Sequence, residues 1–352
     1  MKKFLSFFMA MLIVFASLST VSAEEVVTDK NAVLSALYEA DISTIREALD
    51  LKIISCEELT AYYLERIEKY NDKYNCFITL CDNALEVAKQ RDNALSKGEN
   101  DGLLFGIPVV VKDNIDIKGL YTTNGHTLDK SKIAEENAAV VNYLLEQGAV
   151  IIGKTNMSTD AQDARISYSE IKGQTKNAYN TLLAAGGSSG GTAVSVSLNF
   201  AVAGLGTDTN SSLRIPAVLN GCVSLRPTLD LVDRSGCTIL NSTRDVAGAI
   251  TRSVYDQAIM MDVLTNGQYN YTKNLDKNAL EGLKIGVLTE LSYATTSSGI
   301  AGTDADRNAI ATKFDVSART DKHIDDEVET AFKNAINELK ECGAEVVKVL
   351  HS

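Results

Sequence analysis

Residues 184–214 read AAGGSSGGTAVSVSLNFAVAGLGTDTNSSLR, and this stretch decides which fold the chain can take. It opens on a glycine–serine turn, runs through small and apolar residues, and closes on a second turn rich in hydroxyls. A Gly/Ser segment alone has the composition of a flexible linker. Here TAVSVSLNFAVAGLG follows at once, without a charge. Such a run reads as a buried helix and strand, which puts the glycines inside a packed domain. Glycine there lets backbones approach closely or takes a positive φ. Two hydroxyl-bearing turns joined by one buried element single out Ser188 and Ser212.

Upstream, Gly106-Ile-Pro-Val-Val-Val-Lys-Asp-Asn-Ile-Asp contains a continuous β-branched run, the pattern of a strand buried on both faces. Lys112 stands at its end. A lysine there is ordinarily solvated; buried, it loses affinity for its proton and becomes a usable base. Gly148-Ala-Val-Ile-Ile-Gly-Lys-Thr matches the P-loop spacing. Its intervening residues are themselves the strand, not a polar loop, so no phosphate cradle is expected. Downstream, Asp208 and Arg214 flank Ser212 closely enough to brace its loop as a pair.

Helical patterns begin at Asp41, at Ser55 and at Asn83, with a short strand over residues 75–80 between the last two. They predict a helical arm over about 41–100, a catalytic core over about 101–290, and an incomplete C-terminal part. The last contains a strand from Leu283, an amphipathic helix over 325–341 and a strand over 344–350. Residues 289–325 read as a polar insertion, and no boundary of a second independent domain is visible.

The chain has 352 residues, 45% of them hydrophobic, enough for one large core or two modest ones. Its net charge of −12, without a basic stripe, excludes a nucleic-acid partner of the usual electrostatic kind. MKKFLSFFMAMLIVFASLSTVSA has a positive start, a short apolar run and a small-residue end. That is the pattern of a signal peptide over 1–23, cleaved after Ala23, and implies a secreted or envelope protein. The six cysteines are Cys56, Cys76, Cys81, Cys222, Cys237 and Cys342. Cys76 with Cys81, or Cys222 with Cys237, could pair; otherwise they read as small buried hydrophobes. No cysteine or histidine cluster has metal-ligand spacing, and neither metal nor cofactor is expected.

A serine nucleophile needs a base. Of the three histidines, His323 and His351 lie in the polar insertion and at the terminus, leaving only His126 for a Ser–His site. No G-x-S-x-G elbow accompanies it. A lysine-assisted serine is the better chemical proposal.

Gly106-Ile-Pro-Val-Val-Val-Lys-Asp-Asn, Gly187-Ser-Ser-Gly-Gly and Gly206-Thr-Asp-Thr-Asn-Ser-Ser-Leu-Arg-Ile-Pro, in this order, closely resemble the amidase signature family. Gly153-Lys-Thr-Asn-Met-Ser and Ser224-Leu-Arg-Pro-Thr look like its other landmarks. The resemblance runs from about Asp41 onward. It implies an α/β fold, a mixed twisted β-sheet covered by α-helices, and a Ser-cisSer-Lys triad. By that resemblance Ser212 is the nucleophile, Ser188 the relay on a cis peptide bond, and Lys112 the base. Backbone N–H groups from Thr209, Asn210, Ser211 and Ser212 would form the oxyanion hole, with Asp208 and Arg214 bracing the loop. The implied activity is hydrolysis of a small-molecule or peptide amide through an acyl-serine. The family also includes a component of an amidotransferase, a role that the export signal and negative charge disfavour. Two departures stand out. Asn210 and Ser211 occupy places where the family usually has glycines, and the chain is short at its C-terminus. Both point to the alternative of an inactive or truncated homologue with a binding role.

Overall fold

The computed structural model describes residues 30–288 and 326–349. The expected signal peptide and polar insertion, with His323 and His351, lie outside these residues. The chain divides into two compact units, Met1–Tyr269 and Asn270–Ser352, although the sequence offered no boundary there.

The first unit begins with helices α1 (Lys30–Ala36), α2 (Ile42–Asp50) and α3 (Cys56–Tyr74). Strand β1 (Phe77–Leu80) and helix α4 (Ala84–Ser96) follow. Local chemistry fixes where α3 starts. Ser55 Oγ accepts the Glu58 N–H at 3.0 Å, and Glu58 Oε2 accepts the Ser55 N–H at 2.9 Å. The Asp92 carboxylate on α4 takes the next two amides, Cys56 at 2.7 Å and Glu57 at 3.0 Å. Four otherwise orphaned donors are thereby satisfied, and α4 is tied to the start of α3.

The core strands are β2 (Pro108–Lys112), β3 (Val150–Thr155), β4 (Ala203–Asp208), β5 (Val223–Ser224) and β6 (Val246–Thr251). With β1 they form one sheet in the order β1-β3-β2-β4-β6-β5. The central trio β3, β2 and β4 is parallel, and the remaining pairs are antiparallel, which makes the sheet mixed. Every residue of β2, β3, β4 and β6 is buried, as expected of strands covered on both faces. Helix α5 (Ala139–Glu146) connects β2 to β3. Helix α6 (Gly190–Ser197) packs on β2, β3, β4 and β6, and α8 (Val254–Leu264) on β6, while α7 (Arg214–Leu219) follows the second hydroxyl turn.

The small residues of α6 exist because the helix lies almost in contact with backbone. A Cβ on Gly191 would stand 2.3 Å from the Asn156 carbonyl oxygen and 2.7 Å from that of Cys76. Thr192 Oγ1 reaches the Leu205 carbonyl at 3.1 Å and Thr155 Oγ1 at 2.7 Å, stitching α6 to the end of β3 and the middle of β4. No linker makes such contacts.

Gly148 to Thr155 behaves as its strand reading requires: residues 150–155 are β3, and Lys154 is buried beside Asp113 at 3.3 Å. All six cysteines are free, so neither candidate disulfide forms; Cys56, Cys76 and Cys81 are buried. Among the described residues no helix is long and apolar enough to cross a membrane. In the second unit β7 (Lys284–Leu288) pairs in parallel with β8 (Glu345–Val349), against which α9 (Asp326–Glu341) packs.

The α6 packing gives a first test. Gly191→Ala must push two carbonyls aside, and overpacking of this kind costs about 1–3 kcal/mol. A lower urea midpoint is expected; an unchanged one would contradict the close approach.

Candidate active site

Because β2, β3 and β4 run in parallel, their carboxyl ends reach one edge of the sheet, where open α/β folds place their ligands. Lys112 closes β2 and Asp208 closes β4. The glycine turn that carries Ser188 precedes α6, and Ser212 follows β4. Lys112 and Ser188 are fully buried, and Ser212 is 3% exposed.

Lys112 Nζ lies 2.7 Å from Ser188 Oγ and 2.7 Å from Thr207 Oγ1. Asn114 Nδ2 donates to the same Thr207 oxygen at 3.0 Å. Both direct partners of the lysine are hydroxyls. Burial therefore dominates, pushing its pKa down to about 7, while the more remote Asp208 and Asp245 carboxylates pull the other way. A buried amine that is uncharged near neutrality can accept a proton from a hydroxyl.

The Gly187–Ser188 peptide bond is cis, in keeping with the resemblance. Its surroundings leave little freedom. The Ser188 carbonyl accepts from Ser167 Oγ at 3.2 Å and from the Ser158 N–H at 3.3 Å, and the Gly187 N–H donates to Ala164 at 2.8 Å. A Cβ on Gly187 would come within 2.4 Å of the carbonyl oxygens of Ile166 and Asp163. The Ser189 N–H donates to the Ser212 carbonyl at 3.3 Å, so the two hydroxyl turns are directly joined.

In the second turn, Asp208 is the organiser. Its buried carboxylate accepts the Ser211 N–H at 2.7 Å, the Leu213 N–H at 3.2 Å and Arg214 Nε at 3.1 Å. Burial alone would raise its pKa, but Arg214 and the two amides outweigh it and hold the carboxyl below its ordinary value. Thr209 Oγ1 is anchored on Asp245. Of the four amides expected to receive an oxyanion, that of Ser211 is already given to Asp208. The amides of Thr209, Asn210 and Ser212 have no acceptor among the described residues.

His126 is elsewhere. Its Nε2 lies 2.8 Å from Asp160 Oδ1 and its Nδ1 3.2 Å from Glu170 Oε2, in a surface cluster that includes Lys130. Those carboxylates raise its pKa. Both ring nitrogens are occupied, which removes it as a partner for Ser212. Several neighbours were not singled out from the sequence: Thr207, Asn114, Asp245, Ser167 and Arg226. The first two and Arg226 sit inside the family motifs, but nothing in a linear spacing says that Thr207 faces Lys112.

The Amidase family model matches residues 58–307. The chain belongs to the amidase signature family. Its curated relatives include a glutamyl-tRNA(Gln) amidotransferase subunit of Thermoanaerobacter pseudethanolicus. It is 36% identical over 279 residues, which cover 76% of this chain and 57% of the relative. The protein of the same name in Alkaliphilus metalliredigens is 37% identical over 267 residues, 72% of this chain and 54% of the relative. The chain thus spans a little over half the length of these relatives. Among solved structures, the native peptide amidase of Stenotrophomonas maltophilia superposes with a TM-score of 0.75 at 30% identity, covering 89% of this chain and 62% of that one. An amidase family protein of Bacillus anthracis gives 0.73 at 29%, covering 97% and 66%. The fold of this family is the α/β sheet with helical cover described above.

The depressed Asp208 pKa carries a sign. Its contribution to stability is present above the unfolded-state value near 3.9 and is lost as pH falls through the lower folded-state value. Asp208→Asn should therefore cost about 2 kcal/mol at pH 7, from the weakening of hydrogen bonds that end on a buried charge. Denaturation curves across acid pH should show the gap to wild type narrowing below about pH 4; a gap that is constant with pH contradicts the assignment.

Proposed function

We propose that this chain hydrolyses a carboxylic acid amide through an acyl-serine intermediate, with Ser212 as nucleophile, Ser188 as relay and Lys112 as base. The observation that carries the reading is the buried Lys112 amine 2.7 Å from Ser188 Oγ, at the carboxyl ends of parallel strands. Uncharged Lys112 takes a proton from Ser188, Ser188 takes one from Ser212, and Ser212 Oγ attacks the amide carbon. The free amides of Thr209, Asn210 and Ser212 receive the oxyanion, the point at which preorganised donors matter most. As the C–N bond breaks, Ser188 gives its proton to the leaving nitrogen and takes one back from Lys112, which resets the relay. Water then cleaves the ester by the same route. The substrate would be a small-molecule or peptide amide, and the signal-peptide reading of residues 1–23 would put the reaction in the envelope or outside the cell.

One observation supports a second reading. The relatives named as amidotransferase subunits are 36% and 37% identical, so the ammonia could be passed on rather than released. Ammonia freed from a primary amide with no acceptor present marks hydrolysis; turnover only with an acceptor marks transfer.

A fluorophosphonate probe tests the site itself. The adduct is expected on Ser212 by peptide mapping, absent in Ser212→Ala, and formed about 10²- to 10⁴-fold more slowly in Lys112→Ala. Labelling should also fall as pH drops below about 7, where Lys112 becomes charged. Labelling that survives Ser212→Ala overturns the assignment. A folded wild type that takes no label favours the inactive, binding homologue instead.

A further inference from the structure

Ser211 has φ +84°, the left-handed region that glycine enters freely and a Cβ-bearing residue does not. Something must hold it there, because the loop passes directly to Ser212. The Ser211 and Leu213 amides, on either side of Ser212, both end on the Asp208 carboxylate. The shape of the loop is therefore only as fixed as that carboxylate. Arg214 donates to both its oxygens, Nε to Oδ2 at 3.1 Å and Nη2 to Oδ1 at 3.4 Å, but its side chain is 49% exposed and belongs to the segment being held.

The second cation comes from outside the loop. Arg226 Nε lies 3.4 Å from Asp208 Oδ1, and the Arg226 side chain is 28% exposed. Its Nη2 donates to the carbonyl of Arg244, the residue before the Asp245 that anchors Thr209. Arg226 thus links both fixed points of the turn, Asp208 and the Asp245 segment, across the sheet edge.

We propose that Arg226 is a positioning residue, holding Asp208 so that the hydrogen bonds it accepts from the Ser211 and Leu213 N–H groups keep Ser211 left-handed and aim Ser212. The inference rests on the acyl-serine reading for its consequence, not for its geometry. Arg226 touches neither serine; it acts through Asp208. Where Ser211 stands, glycine would adopt the same φ without help, so the need for Arg226 is created by the serine. The two positions should be coupled.

The experiment compares wild type with Arg226→Gln, Arg226→Lys, Ser211→Gly and the Arg226→Gln/Ser211→Gly double variant. Amide hydrogen exchange at Ser211 and Leu213 is read alongside fluorophosphonate labelling rates. Arg226→Gln is expected to lose protection at both amides and to label up to about 100-fold more slowly, the cost of a misplaced reacting group. Arg226→Lys, which keeps a charge on Asp208, should recover part of both. Adding Ser211→Gly to Arg226→Gln should restore most of the labelling rate, which a general loss of stability would not allow. Unchanged protection in Arg226→Gln, or no recovery on adding glycine, overturns the proposal. Should Arg226→Gln not fold, Arg226→Lys decides by the same two readouts. A wild type that takes no label defeats the nucleophile reading alone, since the exchange comparison still tests the bracket.

Discussion

The site depends on where a single amine is buried. Lys112 is removed from water at the end of a strand covered on both faces, and its direct partners are two hydroxyls. Burying a charge without a counterion is costly, and a lysine so placed gives up its proton instead. The rest of the unit can be understood as what that placement requires. The parallel trio brings the ends of β2, β3 and β4 to one edge. The small residues of α6 let the helix close over the strands, and the tightly held turn before α6 presents Ser188 to the amine.

Lys154 supplies the contrast within the same sheet. It stands near the end of β3, as buried as Lys112, but has the Asp113 carboxylate at 3.3 Å. It also donates to the Tyr121 carbonyl and Thr122 Oγ1, each at 2.9 Å. A lysine paired with a carboxylate serves as a tie between strand ends. One facing hydroxyls is available to take their protons. Burial pushes both pKa values down, and at equal burial the partner decides which chemistry each lysine can offer.

Much of this was legible in residues 184–214 and 106–116. An uncharged run behind GGSSGG had to be buried, and a β-branched run ending in lysine had to bring that lysine to a sheet edge. The motif order then named the family, and the sheet and its helical cover followed. What stayed hidden was contact between distant segments. Thr207 lies in a family motif, yet only the register of β2 against β4 turns it towards Lys112. Arg226 is likewise in such a motif, but the return of β5 beside β6 is what carries it to Asp208. The Ser211 amide was expected among the oxyanion donors, and the loop's own geometry directs it to Asp208 instead. Disulfide pairs could not be judged from spacing either, and all six cysteines are free.

The proposed mechanism needs Lys112 to be uncharged near neutral pH. The direct measurement is an NMR titration of its side chain, with ¹³C at the lysine ε-carbons and the Lys112→Arg variant used to assign the resonance. A midpoint near 7 is expected, from burial against hydroxyl partners. A resonance that titrates near 10.4, the ordinary lysine value, would mean a charged amine throughout the working range and would contradict its role as the base.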